Sequence, residues 1–194
     1  MAKQTYTTTT TGGAWTTLAT GECTIASLIA NATVETTLLS LRVTLSGGTF
    51  SYILPINSLI FNAPNRMAIG GISLKAGDKL EALSVSPVDW VSTVVTGISY
   101  TSRVATTPPT NAWTTLVTGP CTIRGVFVST PSASTVGIKL KKTSSEASIV
   151  LSEEMKAGGS KRLMLPIVLA ATETLQVQGS STAYWIATGV EVTT

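Results

Sequence analysis

Ala14-Trp15-Thr16-Thr17-Leu18, followed by Thr20-Gly21 and Cys23-Thr24-Ile25, returns later in the chain as Ala112-Trp113-Thr114-Thr115-Leu116, Thr118-Gly119 and Cys121-Thr122-Ile123. Ten residues match at one offset, since 113 − 15 and 121 − 23 are both 98. The correspondence continues downstream: Leu39-Ser40-Leu41-Arg42-Val43 aligns with Val136-Gly137-Ile138-Lys139-Leu140, Arg66-Met67 with Arg162-Leu163, Ile72-Ser73-Leu74 with Ile167-Val168-Leu169, and Trp90 with Trp185. A chain of 194 residues built this way is two copies of one domain of about 90 residues, in the lower range at which a single core suffices.

Within each copy the signal is period two. Leu39, Leu41, Val43 and Leu45 fall on one side of a strand and Ser40, Arg42 and Thr44 on the other, ending at Ser46-Gly47-Gly48. Val136 to Lys141 repeats the pattern with Lys139 and Lys141 outward. Further strands are predicted at Cys23 to Ala30, Phe50 to Leu54, Met67 to Leu74, Lys79 to Ser86 and Val91 to Tyr100, between turns such as Asn62-Ala63-Pro64-Asn65 and Ala76-Gly77-Asp78. No window of helical length carries an apolar stripe. About seven short strands per copy predict an all-β chain of two tandem antiparallel β-sandwiches, jelly-roll or immunoglobulin-like.

The predicted boundaries are a Thr-rich N-terminal arm over 1–13, the first sandwich over 14–102, a linker over 103–110 stiffened by Pro108-Pro109, and the second sandwich over 111–194. In the arm Thr7, Thr8, Thr9, Thr10 and Thr11 have β propensity but nothing apolar to bury; such a tract is either unstructured or pairs with a sheet edge in an assembly.

Composition narrows the function. The chain is 43% hydrophobic and 12% charged, with a net charge of +3, so it has little of the charged surface that keeps monomers apart. Through Ser102 five basic residues face five acids; from Arg103 onward eight face five, so the second copy holds the excess. Lys139, Lys141, Lys142, Lys161 and Arg162 form a candidate docking face toward an acidic partner, with a solvated surface as the alternative. The longest apolar run, Leu163 to Ala171, is too short for a membrane span and includes Pro166. Met1 to Tyr6 has no apolar signal-peptide core, which predicts synthesis in the cytoplasm. Cys23 and Cys121, at matched sites, are predicted to be buried free thiols.

No catalytic constellation is visible. There is no histidine, the commonest general base and metal ligand. Asp78 and Glu173 are equivalent but sit in turns before strands, where a carboxylate holds backbone N–H groups. Gly158-Gly159-Ser160-Lys161 lacks the order and the following helix of a phosphate loop, and cysteines 98 apart form no zinc motif. An enzyme, a cofactor and a metal are therefore not expected. The paired tryptophans, Trp15 with Trp113 and Trp90 with Trp185, read as core rings, the alternative being a flat platform for sugar. No aromatic interleaves the basic cluster, so a nucleic-acid partner is not expected.

In phrases such as Ala14-Trp15-Thr16-Thr17-Leu18 and Gly77-Asp78-Lys79-Leu80 the chain resembles the accessory structural proteins of tailed-bacteriophage particles: head decoration (cement) proteins and β-sandwich modules of necks, tails and fibres. The resemblance implies a virion structural protein that binds the major capsid protein or other virion subunits, forms a homo-oligomer, with a trimer the first expectation, and does no chemistry. A carbohydrate-binding module or adhesin is the expectation from another class.

Overall fold

The structure, a computed structural model, describes residues 2–10, 12–32, 36–62, 66–97, 100–163 and 166–192. The first repeat is β1 (Ala2–Thr10), β2 (Thr16–Thr20), β3 (Cys23–Ala32), β4 (Thr36–Thr44), β5 (Phe50–Asn62), β6 (Arg66–Ile69), β7 (Ile72–Leu74), β8 (Lys79–Ser84) and β9 (Val88–Thr96). The second is β10 (Thr101–Thr107), β11 (Thr114–Thr118), β12 (Cys121–Ile123), β13 (Gly125–Ser129), β14 (Ser134–Lys141), β15 (Glu146–Met155), β16 (Ser160–Leu163), β17 (Ile167–Leu169), β18 (Thr174–Gly179) and β19 (Ala183–Val192).

In the first repeat one sheet runs β1-β9-β3-β6, with β7 continuing β6 along β3, and the other runs β2-β8-β4-β5. In the second repeat β19 is flanked by β10 on one side and by β12 and β13 on the other, β16 and β17 complete that sheet, and the facing sheet is β11-β18-β14-β15. All pairs are antiparallel. Two sheets that exchange strands this way form an eight-stranded jelly roll, which decides between the two sandwich types left open by the strand pattern.

The ladders align the copies residue by residue. Cys23 lies opposite Leu74 and Thr96, and Cys121 opposite Leu169 and Val192. The same ladders correct one alignment: Leu28 pairs with Ile69 and Val126 with Leu163, so Arg162 corresponds to Ala68 and not to Arg66. The extra shift lies at Gly70-Gly71, where the strand breaks. Gly71 has φ +76°, and a Cβ on Gly70 would stand 2.3 Å from the Ala26 carbonyl oxygen.

The strand boundaries also differ from expectation at both repeat starts. Ala2–Thr10, read as an arm, pairs along the length of β9, and Thr101–Thr107, read in part as a linker, pairs with β19. Thr10 and Thr107 are equivalent and buried; each hydroxyl donates to a strand carbonyl 3.3 Å away, of Val88 and Ala183 respectively. These are first strands of their jelly rolls, held by backbone pairing and buried hydroxyls without an apolar stripe. Thr11 lies outside the described residues.

The alternating residues face inward as predicted. Ile25, Leu28 and Trp90 from one sheet meet Leu39, Leu41, Val43 and Leu80 from the other in the first core; Ile123, Val126 and Trp185 meet Val136, Ile138, Leu175 and Val177 in the second. Each such side chain contributes about 1.5–3 kcal/mol on burial. Phe127 and Ile186 belong to the second repeat yet pack into the first repeat's cluster, so the two jelly rolls are one packed body.

Candidate functional site

β13 is buried at every position, Gly125 to Ser129, because both of its faces are covered. Val126 and Val128 point into their own core, while Phe127 and Ser129 point at the first repeat. The β10–β19–β13 face lies against β5 and β7. Tyr184 meets Tyr52 edge to face with centroids 4.8 Å apart. The Ser129 hydroxyl donates to the Tyr52 carbonyl at 2.6 Å. Thr188 Oγ1 accepts from the Ser73 N–H at 2.8 Å and donates to the Gly71 carbonyl at 2.9 Å, and the Ser102 hydroxyl donates to the Ser73 carbonyl. Buried polar groups satisfied in this way fix one register between the repeats.

The equivalent face of the first repeat, β1–β9–β3, has no such cover among the described residues. Thr7 and Thr9 on β1, Val91 and Thr93 on β9 and Ile29 on β3 share it by register, and Ile29 is 38% exposed. Thr9 and Asp89 are joined by a 2.7 Å hydrogen bond. Beyond its edge, a cleft of about 380 Å³ opens between β1 and β2, lined by Tyr6, Leu18, Glu22, Cys23 and Val94 among others. Both thiols are free and buried, and burial pushes their pKa up, so they stay protonated.

The predicted basic face is not one surface. Lys139 and Lys141 lie on β14 and Lys142 just beyond it, whereas Lys161 and Arg162 lie on β16 in the other sheet. Lys139 Nζ is 2.9 Å from Glu146 and 4.4 Å from the Trp113 ring centre, and its hydrogen bond draws the Glu146 pKa down. Lys142 pairs with Glu173 at 3.6 Å, and Lys161 with Glu153. The Arg162 guanidinium lies over Phe127, 5.2 Å from the ring centre, where burial lowers its pKa; a Cβ on Gly71 would collide with it. Lys141 is exposed. A count of charges sees none of these cross-strand partners.

The tryptophans divide. Trp90 and Trp185 are 1% and 0% exposed. Trp15 and Trp113 are half-buried on outer faces, and each carries a cation: the Arg42 guanidinium is 4.1 Å from the Trp15 centre and 5.0 Å from that of Phe50, as Lys139 covers Trp113. Arg42 also donates to Glu81 at 2.9 Å, and Thr44 donates to the same oxygen at 2.6 Å. Burial raises the Glu81 pKa, but those hydrogen bonds and the Arg42 charge outweigh it and hold the carboxyl below its ordinary value. Among the described residues no group of three or more Cys, Asp or Glu could hold a metal ion, and no helix is long and apolar enough to cross a membrane.

No family model matches the chain, and no curated protein matches it. Among solved structures it is similar to the major capsid protein of bacteriophage PM2 (8% identity, TM-score 0.43, covering 97% of this chain and 98% of that one). It is also similar to a turret protein of Sulfolobus turreted icosahedral virus (12%, 0.28, 98% and 98%) and to the tandem CBM22 domains of Paenibacillus barcinonensis Xyn10C (9%, 0.26, 98% and 91%). At these identities and scores the likenesses carry no argument about function, and the all-β tandem architecture rests on the strand ladders themselves.

Proposed function

We propose that the protein is a non-enzymatic structural subunit of a virion, specifically a decoration protein that binds capsid subunits and stabilises the particle, with a neck or tail position as the variant of the same role. The observation that carries this reading is the packing of two jelly rolls through a sheet face, with the matching face of the first jelly roll uncovered among the described residues. Jelly rolls are a recurrent building unit of viral capsids, and also of lectins, so the fold alone would not choose. Against the lectin reading, a sugar platform needs free ring faces, and Arg42 and Lys139 occupy one face each of Trp15 and Trp113. Many modest contacts repeated over a symmetric particle suffice for tight attachment.

The test is to purify particles from the source of the sequence through a density gradient and quantify this chain. Presence at a fixed, symmetric copy number, with particles lacking it less heat-resistant, is expected. Absence from particles, or selective retention on a glycan array, would overturn the reading.

A further inference from the structure

The interface between the repeats has two halves, and each has a counterpart in the same chain that is uncovered among the described residues. One half is the second repeat's β10–β19–β13 face, with Phe127, Ser129 and Thr188; its counterpart on the first repeat carries Ile29, Asn31 and Thr93 at the equivalent ladder positions. The other half is the first repeat's β5/β7 side, with Tyr52, Ile53 and Ser73; by the same ladders its counterpart on the second repeat carries Ser148, Ile149 and Val168. Where the two halves meet inside the chain, Phe127 is 3% exposed and Ile53 and Ser73 are 1% exposed. In the uncovered counterparts Ile29 is 38% and Val168 is 68% exposed, and Ile149 is half-buried.

We propose that copies of this chain join head to tail, the β1–β9–β3 face of one copy receiving the β15/β17 side of the next copy's second repeat. The chemistry at each position is preserved or exchanged in a compatible way. Ile29 supplies the apolar contact that Phe127 makes within the chain. Thr93 repeats Thr188, whose hydroxyl bridges the Ser73 N–H and the Gly71 carbonyl; across copies it would meet the Val168 N–H and the Pro166 carbonyl. Asn31 stands for Ser129 as donor to the carbonyl of residue 148, the counterpart of Tyr52. The Tyr184–Tyr52 ring pair becomes Asp89 facing Ser148, a carboxylate opposite a hydroxyl. A contact between two different surfaces is heterologous: it closes into a ring when the rotation permits and otherwise continues as a filament. A trimeric ring would place six jelly rolls in a circle.

The inference rests on the reading of the chain as a structural subunit but is tested apart from it. The mass of the full-length protein is measured by analytical ultracentrifugation for wild type, Ile29→Asp and Val168→Asp. Wild type is expected to be trimeric or larger and each variant monomeric, with the far-ultraviolet circular dichroism of wild type retained because both side chains are exposed. Mixing the variants is the decisive arm. Each keeps the surface the other has lost, so the mixture should form a dimer and nothing larger. Should one variant unfold, the other still reports on the contact. A monomeric wild type, variants of unchanged mass, or a mixture that stays monomeric overturns the proposal; a monomeric wild type that is nonetheless found in particles would sink the head-to-tail contact and leave the subunit reading standing.

Discussion

Residues at equivalent positions of the two jelly rolls do the same work with different partners. Arg42 and Lys139 occupy equivalent positions and both cover a tryptophan, but their carboxylate partners differ: Glu81 on β8 for Arg42, and Glu146 on β15 for Lys139. Glu81 is the better held, with its side chain 12% exposed and two donors on one oxygen. Its folded pKa is depressed, so its stabilisation is present above the ordinary carboxylate value of 4.5 and is lost as pH falls through the lower folded value. Glu81→Gln should therefore cost about 1–2 kcal/mol at neutral pH, and the difference from wild type should shrink as denaturation is followed into acid. A constant difference down to the acid limit would mean that packing, not charge, holds Glu81. A similar exchange of partners surrounds the buried rings: Thr107 accepts the Trp185 indole N–H at 3.3 Å, whereas its equivalent Thr10 bonds Ser84 at 2.5 Å and the Trp90 indole has no partner among the described residues. Ser84 corresponds to Gly179, which has no hydroxyl to compete.

Strands were legible wherever one face had to be apolar, because burial imposes period two on the residues themselves. β4, β8 and β14 fall where alternation places them. β1 and β10 were not legible, since their inward positions are Thr8, Thr10, Ala105 and Thr107, residues that close the sandwich edge without marking a hydrophobic face. The one signal available was the duplication: Tyr6–Thr10 and Arg103–Thr107 precede the repeated Trp motif by nearly the same distance. The basic face failed for a different reason, because sequence spacing does not report that β14 and β16 belong to different sheets. The inter-repeat surface was invisible too, being written in single residues such as Thr188 and Ser129 that have no pattern of their own. For β1 the consequence can be measured. A chain lacking residues 2–10 should lose several kcal/mol of stability, and its Trp90 emission should shift red, because Thr8 lies opposite Trp90 and Thr10 is fully buried. Exposing the edge of β9 should also promote aggregation. An unchanged melt and emission spectrum would return this tract to the status of a free arm.

At the scale of the molecule, the question is whether two jelly rolls fold as two units or as one. Domains in one chain ordinarily meet over modest, polar surfaces and move against each other. Here the second repeat gives up the outer face of a whole sheet: Phe127 and Ile186 enter the first repeat's core, Tyr184 stacks on Tyr52, and Thr188 bridges two backbone groups of the strand break at Gly71. Neither repeat alone could leave those apolar groups in water without cost, so each stabilises the other and wild type should unfold in a single calorimetric transition. Phe127→Ala removes the ring that the second repeat places in the first repeat's core and should cost about 3–5 kcal/mol. That loss falls on the coupling between repeats more than on either core, because Val126 and Val128 still fill the second core. The expected result is a melt resolved into two transitions, with loss of the near-ultraviolet circular dichroism of the Tyr52–Tyr184 pair. A single transition merely shifted to lower temperature would place Phe127 in an ordinary core and deny the interface its coupling role. Two transitions in wild type would show the repeats to be independent from the start.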